Sequence, residues 1–321
     1  MATSTLDLLS LPDELLILVF SNVALDFNSG SITAGVGRVC KLFHHLVDSS
    51  GLDVMYTSLR GTRTMETFLG CLEHRVMTRR RVHSLLVVAD RSQDDENTTS
   101  EALRLLQSII SSIDSSCLHT LFAHFPVGSS RPTTCLQLPV LPALTDLHLS
   151  GLALTSRHST PNLKRLQLLR ILDVPSEYQD ISSFLYTTAP TLTHFKMSLC
   201  TSSTPFLLKF TSDLGYYLCV TLIRVVERET FHRVNEDQHR FPASLESVAV
   251  RFDVPPADEA LGYLFTHFAH TSGQSLEVIK RYQEEAPLAV LPSADVRSYE
   301  SDGAGEDGRG YAEEFAEDWR T

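Results

Sequence analysis

The chain has 321 residues, of which 43% are hydrophobic and 21% are charged, and its formal net charge is −12. This composition is that of a globular protein, and the length suffices for one large domain or two. An excess of acidic residues argues against nucleic acid as the main partner. The longest apolar run, residues 15–20, is far shorter than the ~20 residues that cross a bilayer, so we expect no membrane partner.

The N-terminus and the cysteines predict an intracellular protein, cytoplasmic or nuclear. The first residues, MATSTLDLLS, lack the basic region and the long apolar core of a signal peptide. The six cysteines are widely scattered and contain no CxxC pair, so they suggest no disulfide framework.

The first predicted element is a helix in LPDELLILVFSNV, residues 11–23. Pro12 suits the first turn of a helix, where its missing N–H has no partner, and Asp13 and Glu14 lie at the positive end of the helix dipole. The next six residues, 15–20, are all apolar and occupy every face of the helix. A helix that is apolar all round is normally buried, so the sequence raises the question of what covers it.

A second helix is predicted over residues 32–47, after a polar break rich in turn-forming residues. Its apolar residues recur at spacings of four, three, four and three: Ile32, Val36, Val39, Phe43 and Leu46. Gly35 and Gly37 weaken this helix by about 1 kcal/mol each relative to alanine. Two short helices cannot bury this much apolar surface between them, and such a surplus is typical of an interaction site.

These residues resemble an F-box, a small module of about three helices. The resemblance covers residues 7–52 and rests on Leu11-Pro12-Asp13-Glu14-Leu15, Val19-Phe20, Val39-Cys40-Lys41-Leu42-Phe43 and Leu46-Val47. It implies a Skp-family adaptor as partner and, through it, a cullin. The adaptor-binding residues that it implies are Leu11, Pro12, Leu15, Leu16, Val19, Phe20, Val39, Cys40 and Phe43.

The sequence departs from the usual F-box pattern at two places. Phe43 stands where many F-boxes carry tryptophan, and the link at about residues 24–33 is longer and more polar than usual. The alternative interpretation is that residues 11–23 form a core helix of the domain that follows.

Beyond residue 60, a pattern of three apolar residues, LxxLxL, recurs six times. It occurs at Val82-Leu85-Val87, Leu118-Leu121-Ala123, Leu144-Leu147-Leu149, Leu163-Leu166-Leu168, Leu192-Phe195-Met197 and Leu245-Val248-Val250. Each segment predicts a short strand, and the pattern resembles the leucine-rich repeat. We therefore expect an α/β fold in which the small helical F-box precedes an irregular leucine-rich-repeat-like solenoid of short parallel strands and helices over residues 60–290. A compact α/β domain is the alternative.

Helices are predicted between the strands. Apolar stripes occur at Ala102, Leu106, Ile109 and Ile113, at Ile181, Phe184 and Leu185 before Pro190, and at Ala257, Leu261, Leu264, Phe265 and Phe268. Thr98 and Glu101 have the spacing of a capping box for the first of these helices. Residues 216–226 suggest a further strand. Residues 291–321 form an acidic, glycine-containing tail that we expect to be flexible.

The sequence contains no HExxH, GxGxxG, GxxxxGK[ST] or GxSxG motif. Its thirteen histidines show no cysteine or carboxylate partners at metal-ligand spacing. We therefore expect no catalytic residue, no metal and no cofactor. The basic residues Arg75 and Arg79–Arg81 suggest a nuclear signal, a phosphate-binding patch or, more simply, the solvated end of a helix.

The resemblance predicts the substrate-recognition subunit of an SCF-type cullin–RING E3 ubiquitin ligase, with an unknown protein target. Target-binding candidates are the polar positions that we expect to be exposed on the LxxLxL strands: Thr145, Asp146, His148, Lys164, Arg165, Gln167, His194 and Lys196. One alternative is a non-catalytic interaction or scaffold protein that is not linked to ubiquitination. Another is an unrecognised hydrolase or transferase on an α/β fold.

Overall fold

The chain is an α/β protein that forms two compact units, residues 1–122 and residues 123–321. The computed structural model describes residues 11–23, 35–89, 96–125, 134–155, 159–171, 178, 180–199, 241–242, 244–252 and 289–291. In these residues helices are interspersed with strands that pair mainly in parallel, as the LxxLxL pattern predicts.

The first unit begins with helices and continues with a strand–helix–strand segment. Its helices and strands are α1 (Asp13–Val23), a 3-10 helix (Val36–Arg38), α2 (Lys41–Ser50), α3 (Leu52–Met55), β1 (Tyr56–Arg60), α4 (Gly61–Glu73), a second 3-10 helix (Met77–Arg79), β2 (Ser84–Val88) and α5 (Glu96–Ser112). Strand β3 (Thr120–His124) spans the boundary with the second unit. Strands β1 and β2 are parallel, with Tyr56 opposite Ser84.

Helix α1 begins directly after Pro12, as predicted. The carbonyl oxygen of Pro12 accepts hydrogen bonds from the N–H groups of Leu15 and Leu16, at 3.0 and 3.1 Å. Asp13 and Glu14 occupy the first turn, where a negative charge is favourable.

The prediction of a helix over residues 32–47 is wrong in its first half, because α2 begins only at Lys41. Cys40 is extended, with φ −156° and ψ 169°, and Val36–Arg38 form a single 3-10 turn. Two glycines within three positions lower the helical propensity of this segment, which explains the late start. Ile32 lies outside the described residues.

The N-terminal helices share a hydrophobic core of their own. Its buried members are Leu16, Phe20, Phe43, Leu46, Val47, Leu52 and Tyr56. The rings of Phe20 and Phe43 pack edge to face, with centroids 4.8 Å apart. We call helices α1, α2 and α3 with this core the helical module.

The second unit contains one ladder of parallel strands and a smaller parallel pair. Its elements are β4 (Thr134–Gln137), β5 (Asp146–Ser150), β6 (Leu152–Thr155), β7 (Arg165–Ile171), α6 (Ile181–Thr188), β8 (His194–Leu199), β9 (Ser247–Phe252) and β10 (Ala289–Leu291). Strands β5, β7, β8, β9 and β10 are neighbours in that order, and β4 pairs with β6.

The register of the ladder brings equivalent positions of the LxxLxL pattern side by side. Leu147, Leu166 and Phe195 lie opposite one another, and Leu149, Leu168 and Met197 form the next row. All six side chains are buried. The same register continues into β9 at Val248 and Val250. Each of the six predicted segments contains a strand, and the register of β5, β7 and β8 places their buried apolar side chains in continuous rows.

A turn precedes the first leucine of each LxxLxL segment of the ladder, that is, the segments that lead into β5, β7, β8 and β9. Each such turn with its strand is called a repeat unit below. The N–H of Leu163 donates to the carbonyl of Thr160 and that of Leu192 to Ala189, both at 3.1 Å. Equivalent bonds occur at Leu144 and Leu245. Proline is the second residue of three of these turns: Pro142, Pro161 and Pro190. Its fixed φ favours such a turn, so a proline two residues before the leucine marks the unit in the sequence.

Polar side chains link each turn to the preceding one. Asn162 Nδ2 donates to the Pro142 carbonyl oxygen at 2.6 Å, and Thr191 Oγ1 to that of Pro161 at 2.6 Å. Ser244 Oγ donates to the Pro190 oxygen at 3.4 Å and to that of Leu192 at 2.8 Å. We call these bonds the turn ladder. Consecutive repeat units thus form hydrogen bonds through their turns as well as through their strands.

The structure contains two of the three helices predicted between the strands, and the third lies outside the described residues. Helix α6 contains Ile181, Phe184 and Leu185, all buried, and ends before Pro190 as expected. The predicted face of α5 is buried, but the predicted capping box is wrong, because α5 begins at Glu96 and Thr98 lies inside its first turn. The strand at 216–226, the helical stripe at 257–268 and the tail beyond Leu291 fall outside the described residues.

We expect Leu166→Ala to lower the free energy of unfolding by about 2–5 kcal/mol, because it leaves a cavity in the apolar rows. Val140→Ala is the matched control: Val140 is exposed, and its truncation should change stability by less than about 0.5 kcal/mol. Urea denaturation of both variants measures the difference. Equal effects would contradict the assignment of Leu166 to the core.

Candidate functional site: an apolar surface on the helical module

Among the described residues of the helical module and the segment before α2, five large apolar side chains are exposed. They are Leu15, Leu18 and Val19 of α1, Val39 of the segment before α2, and Leu42 of α2. The largest exposed fractions are 58% for Leu18 and 69% for Val39. We call these five residues the apolar surface. A group of exposed apolar side chains on one small module is typical of a protein-interaction site.

Helical geometry divides the apolar run of α1 into two faces. Leu16 and Phe20, four residues apart, point into the core, whereas Leu15, Leu18 and Val19 share the opposite face. The sequence raised the question of what covers this apolar helix. The chain itself covers one face of α1 and leaves the other face exposed.

Two polar residues in the last turn of α1 bond back to the helix backbone. Ser21 Oγ and Asn22 Nδ2 both donate to the carbonyl oxygen of Leu18, each at 2.8 Å. This oxygen lies before the last four carbonyls of a helix that extends to Val23, so these bonds add to the helical hydrogen bonding and do not cap the terminus.

The nine residues predicted to bind an adaptor fall into three groups. Pro12, Leu15, Val19 and Val39 are exposed, and Leu11 and Cys40 are partly buried. The remaining three, Leu16, Phe20 and Phe43, are core residues, so the expectation that they form the contact surface is corrected. The sequence motif does not separate a surface from the core beneath it.

Two members of the apolar surface, Leu18 and Leu42, were not among the predicted residues. Helical spacing alone contains the signal for Leu18, because it lies three residues after Leu15 and shares its face. Leu42 could not be assigned in this way, since the predicted helix began too early and its phase was uncertain.

The polar positions predicted to bind a target form two rows across β5, β7 and β8. Asp146, Arg165 and His194 are aligned in one row, and His148, Gln167 and Lys196 in the other. Thr145 and Lys164 precede their strands. The structure thus brings the six side chains within the strands together on one face of the ladder.

The expectation that these positions are exposed is wrong for three of them. Asp146, His148 and Gln167 are buried, whereas Lys164 is exposed and the remaining four are partly buried. The pattern shows which side chains face away from the leucine rows but not whether that second face is open to solvent.

The buried polar groups bond across the strands. Arg165 Nε donates to the Asp146 carboxylate, which also accepts a hydrogen bond from Thr145 Oγ1 at 2.7 Å. His148 Nδ1 and Gln167 Oε1 are 2.8 Å apart, and an amide oxygen as acceptor requires that this nitrogen carry the proton.

Burial lowers the pKa of His148 to about 3. Two nearby groups, His124 and Lys196, lower the pKa further, because a second positive charge beside them is unfavourable, and the hydrogen bond to Gln167 acts in the opposite direction. At neutral pH this imidazole is therefore uncharged and serves as a cross-strand hydrogen-bonding group.

Neither a metal site nor a membrane-spanning helix is found in the described part of the chain. No group of three or more His, Cys, Asp and Glu side chains there could hold a metal ion. No helix among the described residues is long and apolar enough to cross a bilayer. Comparison of the chain with protein-family models, curated proteins and solved structures finds no match.

Because the pKa of His148 is lower in the folded chain than its ordinary value of 6.5, the unfolded chain binds a proton that the folded chain does not. We expect stability to fall as the pH drops from about 6.5 towards 3, and His148→Gln to reduce this loss. Urea denaturation at several pH values measures this pH dependence of the free energy of unfolding. His44→Gln, at an exposed site on α2, is the control. Identical pH dependence in wild type and His148→Gln would refute the prediction.

Proposed function

We propose that this chain is the substrate-recognition subunit of an SCF-type cullin–RING E3 ubiquitin ligase. In this proposal the helical module is an F-box that binds a Skp-family adaptor, which connects it to a cullin. The observation that carries the proposal is the apolar surface of five exposed side chains on the first helix and the start of α2.

The form of the helical module supports this proposal. Short helices share a core around Phe20 and Phe43, and the exposed face of α1 lies opposite that core. A face of this kind suits binding in which a helix fills an apolar groove of the partner. Burial of the exposed half of each of these apolar side chains against the adaptor would contribute ~1 kcal/mol to the free energy of binding.

The second part of the proposal is that the strand ladder is an irregular leucine-rich-repeat-like solenoid that holds the target. The in-register apolar rows and the turn ladder support repeated stacking of one unit type. Target contacts remain a prediction. Lys164 and the partly buried Thr145, Arg165, His194 and Lys196 are the candidates with accessible surface.

No covalent step runs on this chain in the proposed mechanism. The adaptor-bound helical module and the target-bound ladder would hold a lysine of the target near the ubiquitin-charged enzyme supplied by other subunits. The contribution of this chain is then proximity and orientation, which convert a bimolecular encounter into an effectively intramolecular reaction.

The test is a pull-down with a purified Skp-family adaptor. We expect the wild type to bind and Leu18→Glu/Val39→Glu to lose at least about 100-fold in affinity, because complex formation would bury two unpaired charges. Both side chains are exposed in the free chain, so the double variant should retain its thermal stability.

The matched control is Val76→Glu/Met77→Glu, which adds the same charges at side chains that are 62% and 53% exposed but lie outside the apolar surface. It should bind like the wild type. Absence of wild-type binding would overturn the proposal. Adaptor binding without co-purification of a cullin would instead favour a scaffold protein not linked to ubiquitination.

A further inference from the structure

Arg75 makes a two-pronged ion pair with Asp53. Its Nη1 donates to Asp53 Oδ1 at 2.8 Å, and its Nη2 donates to the other oxygen of the same carboxylate. The two side chains are only 15% and 16% exposed. The hydrogen bond to Asp53 raises the pKa of Arg75, and two parallel bonds fix the relative orientation of the two groups.

This ion pair connects the helical module to the segment that follows it. Asp53 lies in α3, whereas Arg75 lies just after the end of α4. Arg75 Nη2 is also 3.9 Å from Oδ1 of Asp48, in the last turn of α2. One guanidinium therefore contacts both helices at the corner of the module.

A close backbone contact lies at the same corner. Gly51, between α2 and α3, has a φ of 73°, and a Cβ there would be 2.8 Å from the carbonyl oxygen of Arg79. Nη1 of Arg79 is 3.7 Å from Oδ2 of Asp48. The left-handed conformation and the close approach both require glycine at this position. The corner is thus packed against the 3-10 turn as well as paired through Arg75.

Arg80 binds backbone carbonyl groups at the end of α4, in the segment just after it and at the end of α5. Its Nε donates to the carbonyl oxygen of Arg75 at 2.8 Å, and its Nη1 and Nη2 donate to those of Ser112 and Glu73 at 3.2 and 3.3 Å. The arginine run is therefore not simply the solvated end of a helix. Arg75 and Arg79 face the module, and Arg80 holds the ends of α4 and α5 together.

Partly buried ion pairs contribute little net stability, because the loss of hydration offsets the attraction; in some proteins they instead specify one geometry. In a protein whose contribution is to position two partners, the geometry of this joint is functionally important. We propose that Arg75 is a positioning residue that sets the orientation of the helical module, and of its apolar surface, relative to β1, α4 and β2. Its relevance to target presentation rests on the proposed function.

The experiment measures distances between two spin labels in the full chain, carried by unnatural amino acids at the exposed positions Asn22 of α1 and Arg63 of α4. We expect Arg75→Met to broaden the distance distribution and shift its maximum. Arg104→Met should leave it unchanged, because Arg104 pairs with Glu101 at the surface of α5 and crosses no joint. Arg75→Lys should restore the wild-type distribution only in part, since an ammonium cannot make the two parallel bonds.

A second variant, Asp53→Leu/Arg75→Met, leaves no unpaired carboxylate and is expected to match the wild type in thermal stability. A broadened distribution in this stable variant supports positioning, and an unchanged one overturns the proposal, even if Arg75→Met alone unfolds.

Adaptor pull-down is the independent readout. Arg75→Met should bind the adaptor within about twofold of wild type, because Arg75 lies outside the apolar surface. If wild type fails to bind, the proposed function fails while the distance measurement still decides the role of Arg75. If wild type binds and the distances do not change, the positioning role alone is overturned.

Discussion

The parallel register of β5, β7 and β8 is the constraint on which the second unit depends. Because side chains alternate along a strand, a shift of one residue would move Leu147, Leu166 and Phe195 to the opposite face. The leucine rows thus determine which polar groups share the other face. The Asp146–Arg165 and His148–Gln167 contacts are consequences of this register, and they stabilise it in turn because each buried polar group needs its cross-strand partner.

The helical module also depends on the burial of apolar side chains, but it leaves some of them exposed. Leu16 and Phe20 are buried by the chain itself, whereas the neighbouring Leu18 is exposed although it is equally apolar. Exposed apolar groups of this size add little to the stability of the isolated fold, and a face of this kind is typical of interaction sites, which is the basis of the proposed function. The ion pair at Asp53 and the packing at Gly51 then give this face a defined orientation.

The predictable part of the fold is the part in which local spacing and long-range packing follow the same rule. LxxLxL marks a strand and also sets the residues that meet across the ladder, so all six strands were found. β1 was missed because YTSLR contains a single leucine and gains its place by pairing with β2. The start of α2 was missed because apolar spacing continues through Val36 and Val39 while Gly35 and Gly37 favour other backbone conformations.

The candidate site was predictable only as a region. The sequence indicates that α1 carries surplus apolar surface, but which residues stay exposed depends on where α2 packs, and that depends on the late start of α2. Likewise, alternation identifies Asp146, His148 and Gln167 as facing away from the leucines, yet their burial depends on tertiary packing that no local pattern encodes.

The turn ladder has a consequence for how this chain can change in evolution. Consecutive turns bond to one another and consecutive strands of the ladder pair, but neither set of bonds fixes the length of the segment between a strand and the next turn. The segment after β5, for example, contains β6, which pairs with β4. The first leucines of successive units, at 144, 163, 192 and 245, are accordingly 19, 29 and 53 residues apart. Insertions in those segments can lengthen one unit without disturbing the next, which gives the chain a means of acquiring new surface while its core stays constant.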